Sequence, residues 1–229
     1  MARGYPDYIS SSDKREVVIR PTLTSTTGHV ICYDSFDNPN LAWSTAGSVG
    51  YNIYVDTANY YSAGSCLALL PPDGISGNCY VRRRFPVPES QIVGIECVFC
   101  MELGYDGYFT INLACKYNGT SRQGSLKFDQ ATGKWYIYYS SAYHEIPDSS
   151  MSFTANKYGF IRFKFIIDLS TQKYVSLTVN NHYFDLRNYS CSSPDATATE
   201  QLYTQIYTRN GNTNTGYILW IDSFIITEE

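Results

Sequence analysis

No stretch of this chain stays apolar for the ~20 residues that a bilayer crossing needs; the best run, residues 92–103, is interrupted by Glu96 and Glu102. Membrane insertion is therefore not expected. The opening residues, Met1 to Tyr8, lack the apolar core of a secretion signal, so the expectation is synthesis in the cytoplasm without export, or prior removal of a signal. Positive charge is scarce: 17 Lys and Arg stand against 21 Asp and Glu, a net charge of −4. Such a balance gives no long-range attraction to phosphate and argues against nucleic acid as a partner. Arg82, Arg83 and Arg84 form the one compact basic cluster, but successive strand residues point to opposite faces, so the three cannot share one patch. Histidine is confined to His29, His144 and His182, which are scattered and share no nucleophile motif with a serine or cysteine.

Cysteine is present in an odd number, seven. Cys97 and Cys100 imitate a C-x-x-C motif, yet they lie in a strand-like segment that sends them to opposite faces. No second C-x-x-C completes a four-thiolate zinc site, and no helix follows to lower a redox thiol's pKa. Buried free thiols acting as small hydrophobes are the expectation, with a Cys66–Cys79 disulfide left open. No metal or cofactor is expected.

Helical periodicity is also missing, and alternation takes its place. Ile161, Phe163, Phe165 and Ile167 alternate with Arg162, Lys164 and Asp168; after a turn, Val175, Leu177 and Val179 alternate with Tyr174, Ser176, Thr178 and Asn180. Period-two patterning predicts strands with one buried and one wet face. Similar segments recur at 30–37, 51–56, 65–70, 78–85, 92–102, 108–117, 124–129, 134–140, 182–186, 202–208 and 217–227. The last is apolar on both faces, as a central strand would be. Asn180-Asn181 suits a two-residue hairpin turn, since Asn tolerates positive φ. With 22 Tyr and 11 Phe, the vocabulary is that of half-buried sheets whose tyrosines occupy outer faces and interfaces. About a dozen short strands predict an all-β, two-sheet antiparallel sandwich spanning 28–229. Residues 1–27, with Pro6, Pro21 and a Ser10–Ser12 run, read as an extended N-terminal arm able to dock on a neighbouring subunit.

Several segments taken in order resemble concanavalin A-like (LamG-like) jelly rolls: Asp34-Ser35-Phe36-Asp37 with Trp43, the run from Tyr61 to Leu69, Arg84-Phe85, Val93 to Glu96, Phe128 to Lys134, Ile167 to Tyr174, Val179 to Asn181, and Trp220 to Ile226. The resemblance covers residues 29–229 and is greatest to jelly-roll proteins among phage and phage-like structural genes. It implies a jelly-roll sandwich, and a role in capsid decoration or in a tail or fibre. Its partners would be other particle or capsid proteins and further copies of the same chain, as a homo-oligomer, on a virion or extracellular surface.

The chemistry-bearing residues are fewer. Glycosidases of this fold need two carboxylates flanking one bond, ~5 to 9 Å apart, whereas Glu96 and Glu102 would stand ~20 Å apart along a strand at ~3.3 Å per residue. The expectation is accordingly that the chain is not an enzyme. Asp34, Asp37 and Asp222 are hard-oxygen donors of the kind calcium takes, but they read better as strand-capping carboxylates. Flat aromatic rings flanked by amides are what a glycan needs. Tyr203, Gln205 and Tyr207 on one outward face, or Tyr136 and Tyr138 on another, supply such a platform for a glycan ligand, and such sets serve protein interfaces equally well.

Overall fold

The structure, a computed structural model, describes residues 29–38, 41–58, 64–74, 76–101, 106–117, 120–150, 160–192, 201–211 and 217–229. The expected arm at 1–27 and Glu102 lie outside the described residues. The strands are β1 (His29–Asp34), β2 (Ser44–Gly47), β3 (Asn52–Asp56), β4 (Cys66–Leu70), β5 (Asn78–Phe85), β6 (Ile92–Met101), β7 (Gly107–Tyr117), β8 (Thr120–Asp129), β9 (Lys134–Tyr139), β10 (Ala142–Glu145), β11 (Ile161–Asp168), β12 (Lys173–Val179), β13 (His182–Asp185), β14 (Gln201–Asn210) and β15 (Leu219–Glu228). The protein is an all-β jelly-roll sandwich of two antiparallel sheets. Sheet A runs β13-β12-β11-β6-β15-β4-β3, with β1 also on β15; sheet B runs β10-β9-β8-β7-β14-β5-β2. β4 and β1 lie end to end along the edge of β15 that β6 leaves, pairing with residues 219–221 and 224–228 respectively.

Alternating apolar residues place the core between the sheets. Trp135 of β9 is fully buried and meets Phe99, Phe109, Phe128 and Phe163 at centroid distances of 5.0–5.9 Å, a tilted and edge-on aromatic cluster of the favoured kind. The two sheets are also tied at one end by Asp34 of β1. Its carboxylate accepts from Trp43 Nε1 at 2.9 Å and from Phe36 N at 2.9 Å, and pairs with Arg83 of β5 at 2.7 Å. The three arginines thus separate as strand geometry requires: Arg83 turns to the clasp, while Arg82 and Arg84 face the other way.

One expectation changes, and one question left open by the sequence closes. Tyr174 is buried in the core and Val175 is not, the reverse of the alternation expected along β12. A bulge in the β11–β12 pairing, where Ile166 opposes Ser176 and Ile167 opposes Tyr174, adds one residue and flips the side chains beyond it. The Tyr174 hydroxyl then donates to the Tyr138 carbonyl at 2.7 Å and accepts from Ser125 N at 3.1 Å, so a ring from sheet A pins two strands of sheet B. Second, all seven cysteines are free, with Cys66 packed outside sheet A beside Cys100 and Cys79 inside the core. The sheet-A backbone separates the two, and no disulfide joins them. Cys97 and Cys100 do fall on opposite faces.

Candidate functional site: the outer face of sheet B

The two sheets differ in how their outer faces are used. The central strands of sheet A, β6 and β15, are buried almost throughout, while β14 at the middle of sheet B alternates strictly between buried and half-exposed. The open face belongs to sheet B, and strand register assigns its residues. Directly opposed residues share a face. One row across the sheet is Arg82, Gln205, Asn112 and Ser125; the next is Tyr80, Tyr207, Thr110, Lys127 and Tyr136; a third is Asn78, Arg209, Tyr108, Asp129 and Lys134. β10 adds Tyr143 opposite Tyr138 and Glu145 opposite Tyr136.

The three platform residues read from the sequence, Tyr203, Gln205 and Tyr207, project together onto this face. Tyr136 and Tyr138, which the sequence offered as a separate platform, join them on the same face three strands away. What the sequence did not show is the set between them. Lys127 Nζ lies over three rings, at 4.3 Å from the Tyr136 centroid, 5.3 Å from Tyr108 and 5.5 Å from Tyr143, and contacts Asp129 at 3.4 Å. The only signal for it is a lysine between two core residues, Leu126 and Phe128. Arg82 grips Gln205 Oε1 through Nη2 at 2.7 Å and Nε at 3.2 Å, with its guanidinium over the Tyr203 and Tyr80 rings. Arg209 donates to Ser76 Oγ at 2.6 Å and hydrogen-bonds with the Tyr108 and Tyr207 hydroxyls.

Tyr143 defines the shape at one edge. Its hydroxyl hydrogen-bonds with Thr110 on β7 and Ser125 on β8. At ~4.8 Å per strand, β10 and β7 stand ~14 Å apart in a flat sheet, beyond a tyrosine's reach. The β9–β10 edge therefore curls over, making this end of the face concave. Tyr143 as a whole residue is 36% exposed, yet burial pushes its hydroxyl's pKa up to about 12. Burial also raises Tyr207. Both keep their protons near neutral pH, Tyr143 spending its hydroxyl on Thr110 and Ser125.

Among the described residues, six cations occupy this face, Arg82, Arg84, Arg209, Lys116, Lys127 and Lys134, against two carboxylates, Asp129 and Glu145. Asp129 is engaged with Lys127, and Glu145 with Lys134 at 2.8 Å. Glu96 is elsewhere: it lies on the outer side of sheet A, buried and paired with Arg162. Among the described residues, no three His, Cys, Asp or Glu side chains gather as a metal site; Asp34 serves the clasp, and Asp37 accepts from Ser65 Oγ at 2.8 Å. His29, His144 and His182 sit on three different strands.

No family model and no curated sequence matches this chain. Its fold is similar to that of several solved proteins. An endo-β-1,4-glucuronan lyase from the fungus Trichoderma reesei aligns with a TM-score of 0.64 at 8% identity, over 88% of this chain and 96% of the lyase. A carbohydrate esterase from the Shiga toxin-encoding bacteriophage phi24B aligns with a TM-score of 0.58 at 11% identity, over 88% and 99%. The CBM2 module of the evolved Dit of Lactobacillus casei BL23 phage J-1 aligns at 0.52 and 10% identity, over 88% and 96%. At these identities the likeness is one of fold.

These neighbours overturn the expectation that the chain is not an enzyme, because a lyase and an esterase are built on the same sandwich. The expectation rested on a missing carboxylate pair along β6, the strand that holds Glu96. That strand is central to sheet A and far from the open face, and a carboxylate pair is a requirement of glycoside hydrolysis, not of every reaction on a polysaccharide. Tyrosine and lysine side chains, which this face has in number, also hold and move protons.

Proposed function

We propose that this protein recognises carbohydrate on the outer face of sheet B, and that it does so as a jelly roll carried on the surface of a phage-like particle. The observation that carries the glycan reading is the spread of Tyr203, Tyr207, Tyr80, Tyr108, Tyr136 and Tyr143 over one open face, interleaved with Gln205, Asn112, Thr110 and Ser125. Flat rings cover the apolar faces of a sugar, and amide and hydroxyl groups between them satisfy its hydroxyls. The particle reading is supported by the sequence resemblance to phage structural jelly rolls and by two phage proteins among the similar folds. In that setting the chain works from a virion or extracellular surface, beside other particle proteins and further copies of itself.

A glycan array followed by calorimetry on the full chain tests the first part. Tyr207→Ala and Tyr203→Ala should each weaken binding roughly fivefold or more, given ~1 kcal/mol for a ring contact beyond its buried area. Silence across a broad panel of neutral and acidic glycans overturns it. Mass spectrometry of purified particles that lack this polypeptide removes the second part.

A further inference from the structure

The charge on the open face runs against the charge of the chain. Against a surplus of four positive charges there, the other described residues hold six cations and thirteen carboxylates, a balance of −7. Same-sign groups crowded on one surface repel each other, and here the cations are held in place by neutral partners as well as by acids. Arg82 is fixed by Gln205 and two rings, Arg209 by Ser76 and two tyrosine hydroxyls, and Lys127 by three rings together with Asp129. Cation–π contacts and neutral hydrogen bonds orient a cation without cancelling its charge. Such a surface is preorganised for an anion supplied from outside.

From this we infer that the ligand is an anionic polysaccharide, bearing carboxylate or sulfate groups on successive units. The inference rests on the glycan reading of the same face and adds the ligand class. A single small anion does not match the layout. β8 and β5, which carry Lys127 and Arg82, are separated by β7 and β14 and so stand ~14 Å apart, and Arg209 lies between them. The cations form a string across the strands rather than one pocket, and a polymer lying across the sheet meets them one after another. The negative remainder of the chain keeps such a polymer off the other surfaces, which makes its placement specific.

The test compares the full chain's affinity for three polymers: a polyuronate, the same polymer with its carboxyls reduced to alcohols, and a sulfated polysaccharide. Binding should be at least about tenfold weaker to the reduced polymer, about 1.4 kcal/mol, and should weaken as salt rises. Preference for the polyuronate or for the sulfated chain supports the inference and identifies the anionic group. Lys127→Met and Arg82→Gln should each lose about tenfold on the preferred acidic polymer and little on the neutral one, with melting temperature confirming that each variant folds; Lys127→Arg should retain most binding. Equal affinity for acidic and reduced polymers overturns the inference and leaves the glycan reading standing. Binding to none of the polymers while neutral oligosaccharides bind also overturns it, and binding to no glycan removes both. Equal affinity for single-stranded DNA would show that any polyanion suffices and would overturn the assignment to polysaccharide.

Discussion

Tyr217 joins the core to the open face, and removing its single oxygen measures that link. The side chain is fully buried, and its hydroxyl sits within 2.7 Å of the Tyr108 carbonyl, 3.1 Å of the Arg209 carbonyl and in contact with Thr208 Oγ1. Those carbonyls belong to β7 and β14 at the positions whose side chains face outward beside Lys127 and Tyr207. Tyr217→Phe keeps the ring and strands polar atoms in a dry interior, at a cost of about 2 kcal/mol. For a chain of this size that lowers the melting temperature by about 4–8 °C. The ring has its own requirement: a Cβ at Gly107 would fall 2.0 Å from Tyr217 Cε1, so Gly107→Ala overpacks the site by about 1–3 kcal/mol. In a double-mutant cycle, Gly107→Ala should cost much less when position 217 carries leucine. Thermal melts of Tyr217→Phe against wild type, and urea melts of the four proteins of the cycle, provide the assay. A Tyr217→Phe shift below about 1 °C, or strict additivity of Gly107→Ala and Tyr217→Leu, would refute the reasoning.

Glu96→Gln should destabilise the protein by about 3 kcal/mol in urea melts, because the buried Glu96 balances Arg162 and neighbours Lys164, which itself pairs with Glu229; unchanged stability would show that the cluster is solvated. Burial alone would raise the pKa of Asp168, but hydrogen bonds from Ser170 and Thr171 outweigh it and hold the carboxyl below its ordinary value. Its stabilising contribution is present above the unfolded pKa of ~3.9 and lost as pH falls through the lower folded value, so Asp168→Asn should flatten the acid limb of stability against pH. Thiol titration of the native protein should label Cys32 first, since it alone is half-exposed; burial pushes Cys79, Cys100 and Cys191 up to about 12, and rapid labelling of several thiols would contradict that order.

The sequence carries the sheets better than the site. β11 is legible because one of its faces is apolar at every second residue, β14 because Leu202 and Ile206 alternate with Tyr203, Gln205 and Tyr207, and Asn180, with φ of 52°, announces the β12–β13 turn by its residue type. β2 and β10 escape notice because both are four-residue, mostly exposed edge strands with no apolar rhythm. The β9–β10 turn hides as well: Ser140 and Ser141 both take positive φ, a conformation that serine rarely signals. The Tyr174 reversal was invisible because a bulge is a property of pairing, not of one strand. For the site, Tyr203, Gln205 and Tyr207 could be read as one face from β14 alone. Their neighbours could not, since β14 sits between β7 and β5, strands that precede it by roughly ninety and 120 residues. Chain order contains no trace of that adjacency.

The division of labour between the sheets follows from the same chemistry. β6 and β15 are buried on both sides, and a second apolar cluster, Cys66, Ala68, Cys100 and Trp220 with Tyr54, Phe160 and Ile218, lies outside sheet A. Polar groups there are locked into pairs, such as Trp220 Nε1 donating to Asp56 Oδ2 at 3.0 Å, or the Glu96–Arg162 bridge. Sheet B keeps its apolar residues strictly inward, so its outer side chains answer to no core-packing demand, and tyrosine, glutamine, lysine and arginine can be placed there without weakening the interior. A face released from packing, curled at one edge and charged opposite to the rest of the chain is where selection for an external partner can act. Substitutions there should alter binding before they alter stability, whereas those on β6 and β15 should do the reverse.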